Sequence, residues 1–280
     1  MGITVILGVL CALSWGLPEV QLARATRNLG IVPTVIGSIV IGLLVTSPII
    51  FFTDGLPHIT AKGAVLIVGM GILSLAGYLV AFSAFQKGKL TIVAPTIACE
   101  GAVAAVFAIL LGESIDTRVL FLLPFAVIGV VLAAMGTSEK GQSSGALRAA
   151  FAALIWGGIL TMAAPVADEV GVIWGFVLVR VVALLFVLPI GIKMGVAANA
   201  RLDWKNVAVW GIGDSVASLL FVAAADRGPV AVAGVLAAQF ATVGVIVGMV
   251  VLKERLRARQ WVGIGTVIAA VTAIAAVGAG

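Results

Sequence analysis

Residues 88–113 read GKLTIVAPTIACEGAVAAVFAILLGE, a basic turn followed by a long run of small or apolar residues and a polar Gly-Glu. Residues 228–254, GPVAVAGVLAAQFATVGVIVGMVVLKE, repeat that order 140 positions later (228 − 88) and again follow a basic residue. Two further landmarks recur with an offset of 141: Trp15-Gly16 as Trp156-Gly157, and Glu113 as Glu254. A constant offset of half the chain predicts an internal duplication.

The composition is that of a membrane protein. Of 280 residues, 62% are hydrophobic and 10% are charged, whereas a soluble domain has roughly 25% charged residues. The net charge of +5 lies in short loops between apolar runs, which favours contact with membrane lipids over binding of nucleic acid. Cys11 and Cys99 lie inside apolar runs, so we expect buried thiols and neither a disulfide nor a metal site.

Ten apolar runs have about the 20 residues needed to span a bilayer. They are residues 3–20, 31–52, 64–85, 90–111, 119–136, 147–166, 172–192, 207–225, 230–252 and 261–277. The first run lacks a basic segment and a cleavage site, so we interpret it as a retained span. The predicted division is a first five-helix repeat (residues 1–137), a polar linker (138–146) and a second five-helix repeat (147–280), together forming one structural unit.

Because five is odd, the two halves would enter the membrane in opposite directions. The predicted fold class is therefore all-α, with ten transmembrane helices as two inverted repeats around a central cavity, an arrangement typical of transporters. Gly244 and Gly248 form a GxxxG pattern in the ninth run. This pattern either marks close helix packing or arises by chance in a glycine-rich chain.

Loop charges predict the orientation. Three Lys or Arg residues lie on the side of the two termini and 13 on the side of the linker. The positive-inside rule then places both termini in the periplasm of a bacterial inner membrane and the linker in the cytoplasm.

Ionisable side chains at membrane depth are candidates for function. Glu100, Arg180 and Asp214 lie near the middle of their predicted spans, and Gln239 lies close to the repeat equivalent of Glu100. Arg180 either forms a buried ion pair with one of the two carboxylates or clamps a substrate carboxylate. Glu19 lies at the end of the first predicted span, so we interpret it as structural.

Three aromatic residues lie deeper than the interface anchors expected at span ends. Trp15 and Trp156 are related by the repeat and each precedes a glycine, while Tyr78 is the single tyrosine. They either line a cavity or serve only in packing. The expected cavity lining is Trp15, Tyr78, Glu100, Trp156, Arg180, Asp214 and Gln239.

The order of these cues along both halves resembles the drug/metabolite transporter superfamily, in its EamA-type branch. The cues are Trp15-Gly16, Lys87-Gly88 and Gly112-Glu113, then Trp156-Gly157, Arg227-Gly228 and Lys253-Glu254. The resemblance extends to bacterial amino-acid exporters and implies that Tyr78 and Trp156 are cavity aromatics. Glu100 stands where such exporters have another aromatic residue. Many members keep their termini in the cytoplasm, but we follow the loop charges.

The predicted function is export of small metabolites, amino acids foremost, by alternating access, with drugs or other metabolites as the alternative substrates. No phosphate-binding loop is present, so transport would follow a gradient or couple to protons. The rival hypothesis is an intramembrane aspartyl protease, because residues 211–214 read GIGD, but that chemistry needs two facing aspartates. Scattered polar residues argue against a channel pore. We expect no enzyme activity, cofactor or metal, and a monomer as the simplest assembly.

Overall fold

The computed structural model describes residues 2–52, 55–112, 117–134, 142–196, 204–227 and 230–277. In these ranges the chain forms thirteen α-helices and a 3-10 helix, Ser47–Phe52, with no strand. The helices are α1 Gly2–Gly16, α2 Glu19–Asn28, α3 Ile31–Thr46, α4 Ala61–Lys87, α5 Leu90–Ile97, α6 Glu100–Leu110, α7 Thr117–Ala134, α8 Gln142–Val170, α9 Val172–Lys193, α10 Trp204–Asp226, α11 Val230–Ala237, α12 Phe240–Val251 and α13 Ala258–Val277. Glu113 lies outside the described residues, as does the predicted linker up to position 141.

Six continuous helical segments are long and apolar enough to cross a membrane. They are Gly2–Asn28, Ile31–Phe52, Ala61–Lys87, Ser144–Val170, Val172–Lys193 and Trp204–Asp226. The predicted fifth and tenth spans coincide with α7 and α13, and the fourth and ninth are each divided into two shorter helices. The protein is thus an all-helical polytopic membrane protein, and the last residues assigned to the linker already belong to α8.

The first span is longer than the sequence predicted. It continues from α1 through a turn at Leu17-Pro18 into α2 and ends at Asn28. Pro18 has no N–H to donate, so the regular helical hydrogen bonding is interrupted here, and the backbone N–H groups of Gln21 and Leu22 both bond to the Pro18 carbonyl. As a result Glu19, assigned to a span end from the sequence, lies inside the span.

The fourth and ninth spans are interrupted at equivalent places. The Cys99 amide bonds three residues back to Thr96, and its thiol instead donates to the Pro95 carbonyl at 3.7 Å. The Gln239 amide likewise bonds three residues back, to Leu236. Such 3-10 turns often mark functional positions within helices, and the first of them places Glu100 at the start of α6.

Hydrogen bonds between the two halves define two ends of the molecule. At the first end Glu169 pairs with Lys62 at 3.1 Å and accepts a hydrogen bond from Thr60. At the second end the Glu254 carboxylate accepts from the Leu90 amide and from the amide and hydroxyl of Thr91, all within 2.8–2.9 Å. A carboxylate from the second half thus caps α5 of the first half.

The GxxxG pattern of α12 packs against α5. A Cβ added at Gly248 would lie 2.8 Å from Thr91 Cγ2 and 3.1 Å from the Glu254 carboxylate. A Cβ at Gly244 would lie 2.9 Å from the Ala94 Cβ and would collide with the Glu19 carboxylate. Of the two readings of the pattern, close helix packing is the one that the structure bears out.

We therefore expect Gly248→Ala to destabilise the protein by about 1–3 kcal/mol, because the new methyl group overlaps with Thr91 and disturbs the Glu254 cap. The measurement is the Tm of purified protein in detergent. The matched control is Gly265→Ala, since Gly265 is helical and its added Cβ meets no atom within 4 Å. Equal Tm values for the two variants would contradict this packing.

Candidate functional site

The first cavity has a volume of about 140 Å³ and lies among helices of both halves. Five of the seven residues predicted from the sequence line it. They are Trp15, Tyr78, Glu100, Trp156 and Asp214, joined by Glu19, Leu22, Ala81, Phe82, Phe85, Ile97, Trp210 and Phe240. The lining is thus rich in aromatic rings and contains three carboxylates.

The second cavity, of about 180 Å³, is lined by Arg180 and mainly by apolar residues of α4, α8 and α9. Tyr78 and Trp156 line both cavities. Helix α4 runs from the first end to the second, with Met70 and Ser74 on the second cavity and Phe82 and Phe85 on the first. The two cavities therefore follow one another along the helix axes, and the Tyr78 and Trp156 rings lie between them.

Arg180 forms a buried ion pair with Asp214. Its Nη2 lies 2.7 Å from Asp214 Oδ2, and the two side chains are 6% and 19% exposed. The guanidinium carbon also lies 3.7 Å from the centre of the Phe176 ring, which is within cation–π range. Of the alternatives left open by the sequence, the pair with Asp214 is the one observed. Arg180 Nη1 is buried without a hydrogen-bond partner among the described residues.

The same aspartate orients Trp15, whose Nε1 donates to Asp214 Oδ1 at 3.2 Å. Gly42 of α3 leaves room for the pair, because a Cβ there would lie 3.1 Å from Arg180 Nε. Asp214 is thus occupied by a guanidinium and an indole. A protease would need a second aspartate facing it, and no other aspartate lines either cavity within the described residues.

Edge-to-face aromatic contacts form a continuous wall. Trp156 contacts Tyr78 with ring centres 5.1 Å apart, Tyr78 contacts Phe82 at 5.7 Å, and Phe82 contacts Trp210 at 6.2 Å. Trp15 and Phe240, which also line the first cavity, contact each other with ring centres 6.0 Å apart. Gly77 admits Trp156, since a Cβ at this glycine would lie 3.2 Å from the indole. The Nε1 of Trp210 is buried without a partner among the described residues.

Glu19 is the cavity residue that sequence reasoning missed. It is 3% exposed, lines the first cavity, and its Oε2 has no hydrogen-bond partner in the described part of the chain. Val20, Leu22, Ala23 and Ala25, which follow it, are buried. Their apolar spacing up to the basic residues Arg24 and Arg27 was the signal that the span continues past Glu19.

Gln239 is the one predicted residue that lies outside both linings, as far as the described residues show. Its Nε2 donates to Thr272 at 2.9 Å, and its Oε1 accepts from Thr242 at 3.1 Å. It joins α13 to the turn between α11 and α12. Within the described ranges there is also no cluster of metal-ligating side chains.

Comparisons with known proteins agree with this architecture. The EamA-like transporter family matches the chain twice, over residues 2–135 and 143–276. No curated protein matches the sequence. One solved crystal structure superposes on this chain with a TM-score of 0.68. The two sequences are 16% identical, and the match covers 99% of this chain and 98% of the other. The family-level resemblance found in the sequence is thus confirmed, and the structural match shows a shared fold.

The ion pair predicts the response to Arg180→Ala. The variant leaves the Asp214 carboxylate buried without its cation, which typically costs about 3–5 kcal/mol. We expect a large fall in Tm with or without added substrate. The matched control is Arg180→Met combined with Asp214→Asn, which removes both charges, keeps an oxygen for Trp15, and should recover much of the stability. A single variant as stable as the parent protein would contradict the pairing.

Proposed function

The chain belongs to the EamA-like transporter family, and from this premise we propose that it exports small metabolites, amino acids foremost, across the bacterial inner membrane. The observation that carries the proposal is the pair of cavities in series, separated by Tyr78 and Trp156. A transporter that works by alternating access opens its substrate path to one side of the membrane at a time, and a barrier between two cavities would close the path on the other side. Rocking of one half against the other would open each in turn.

The duplication supports this mechanism. The two family matches are offset by 141 residues (143 − 2), the same offset that relates Trp15 to Trp156. We propose that residues 1–137 and 147–280 are five-helix halves of opposite orientation, joined by the linker at residues 138–146. The divided fourth and ninth spans support it too, because interrupted helices are common at transporter binding sites.

Arg180 supports amino acids as substrates. Its pairing with Asp214 uses Nη2, whereas Nη1 is buried without a partner, so the guanidinium retains a donor for a carboxylate. The order of motifs also resembles the bacterial amino-acid exporter YddG. Glu100, a carboxylate at a position that is aromatic in that exporter, favours a wider range of substrates than aromatic amino acids alone.

The loop charges support an orientation in which export would begin at the first cavity. The second end, where Glu254 caps α5, lies on the side with 13 of the loop Lys and Arg residues and would face the cytoplasm. The first cavity lies towards that end. Substrate would then enter the first cavity from the cytoplasm and leave by way of the second.

The proposal predicts efflux of amino acids from proteoliposomes that contain the purified full-length chain. Radiolabelled amino acids loaded inside should leave faster than from protein-free liposomes, and excess unlabelled substrate outside should accelerate the exchange. Asp226→Asn is the control variant, because Asp226 is exposed and lies at the end of α10. Efflux equal to that of protein-free liposomes for the whole amino-acid panel would contradict the proposal.

The orientation has its own test. We expect a reporter that is active only in the periplasm to be active when fused after Gly280, and a cytoplasmic reporter to be inactive there. A cytoplasmic reporter inserted at residue 140 should be active, since the linker would lie on the opposite side. Reversed activities would show that the 13-to-3 charge difference does not set the topology of this protein.

A further inference from the structure

The first cavity carries more negative than positive groups. Glu19, Glu100 and Asp214 line it, and the described lining contains no Lys, Arg or His. Asp214 is paired with Arg180 on the side of the second cavity. Glu19 and Glu100 have no ion-pair or hydrogen-bond partner among the described side chains. Two carboxylates thus face the cavity without a cation.

A buried ionised carboxylate without a partner is unfavourable, so the group either holds a proton or pairs with a cation that enters the cavity. Trp210 Nε1, a buried donor of the lining without a partner among the described residues, is neutral and leaves this charge balance unchanged. A ligand bearing a carboxylate would add a further negative charge. A ligand that bears only an ammonium group would form an ion pair with a carboxylate that has released its proton.

The remaining lining suits the organic part of such a cation. Trp15, Tyr78, Trp156, Trp210 and Phe240 surround the space in which the two glutamates lie. Aromatic faces attract ammonium groups, and several rings around one cavity form the type of cage that binds organic cations. The edge-to-face contacts among these rings fix their orientation and reduce the conformational entropy that is lost on binding.

We propose that the first cavity is a binding site for amine-bearing organic cations, in which Glu19 and Glu100 receive the ammonium group and the aromatic cage holds the apolar part. This inference rests on the proposed export of small metabolites, and for the first cavity it puts amines ahead of amino acids. The amino group determines recognition, and a free carboxylate on the substrate weakens it. Arylalkylamines therefore bind more tightly than the amino acids that share their skeleton.

Three probes of one skeleton test this inference. Phenethylamine carries only the ammonium group, phenylalanine carries both charges, and 3-phenylpropionate carries only the carboxylate. Binding to the purified full-length protein is measured by quenching of intrinsic tryptophan fluorescence, because three of the six tryptophans line the cavity. We expect phenethylamine to bind about tenfold or more tightly than phenylalanine, and 3-phenylpropionate to bind most weakly.

Charge-neutral variants of similar shape test whether the two carboxylates bind the ammonium group. Glu19→Gln and Glu100→Gln should each weaken phenethylamine binding about tenfold or more while changing the weak binding of 3-phenylpropionate little or in the opposite direction. Glu100 is partly exposed to the cavity, so its variant provides the test if the fully buried Glu19 proves necessary for folding, as judged by Tm. Asp226→Asn again serves as the matched control and should bind all three probes like the parent protein.

The outcomes separate this inference from the proposed function. Tighter binding of phenylalanine than of phenethylamine would overturn the inference and leave amino-acid export standing. Phenethylamine binding that is unchanged in both glutamine variants would also overturn it, because the carboxylates would then hold only protons. If none of the three probes quenches the fluorescence, the inference fails, and the efflux assay decides separately on the proposed function.

Discussion

The guanidinium of Arg180 is the constraint on which the site depends. It cannot lose its proton, and at membrane depth it must be neutralised by a partner. Asp214 supplies the charge at 2.7 Å and thereby joins α9 to α10, while Gly42 of α3 leaves the space that the pair occupies. The same aspartate accepts a hydrogen bond from Trp15. One electrostatic requirement thus also fixes the position of Trp15 in the wall of the first cavity.

The sequence predicted most of this arrangement because the required signals are local. Ionisable residues within apolar runs identified Arg180 and Asp214, and the repeat identified Trp15 and Trp156. Glu19 was missed because a span of ordinary length ends near it, whereas the helical segment continues through the turn at Leu17-Pro18 to Asn28. The cavity role predicted for Gln239 rested on its repeat equivalence to Glu100. Its actual partners, Thr272 and Thr242, depend on how α13 packs, which no local pattern contains.

The duplication explains the arrangement of the helices in the two halves but not the positions of the ionisable residues at the cavities. The repeat equivalents of the cavity's ionisable residues lie 141 positions away in the sequence. They are Ile39 for Arg180, Leu73 for Asp214, Leu160 for Glu19 and Ala241 for Glu100. All four ionisable residues at the cavities thus have apolar counterparts in the other half. Helix breaks, glycines and the Trp-Gly pair are shared. The ionisable residues at the cavities therefore lie where the two halves differ in sequence.

Helix α12 links the second end of the molecule to the charged cavity. Its Gly248 lies against Thr91 and the Glu254 carboxylate, and its Gly244 lies against Glu19. Helix α5, which Glu254 caps, ends in the turn that positions Glu100 at the start of α6. Separation of α12 from α5 would break three hydrogen bonds to Glu254 and would at the same time remove a neighbour of Glu19. An opening of this end that separated α12 from α5 would therefore also change the surroundings of the cavity carboxylates, because both depend on the packing of this helix pair.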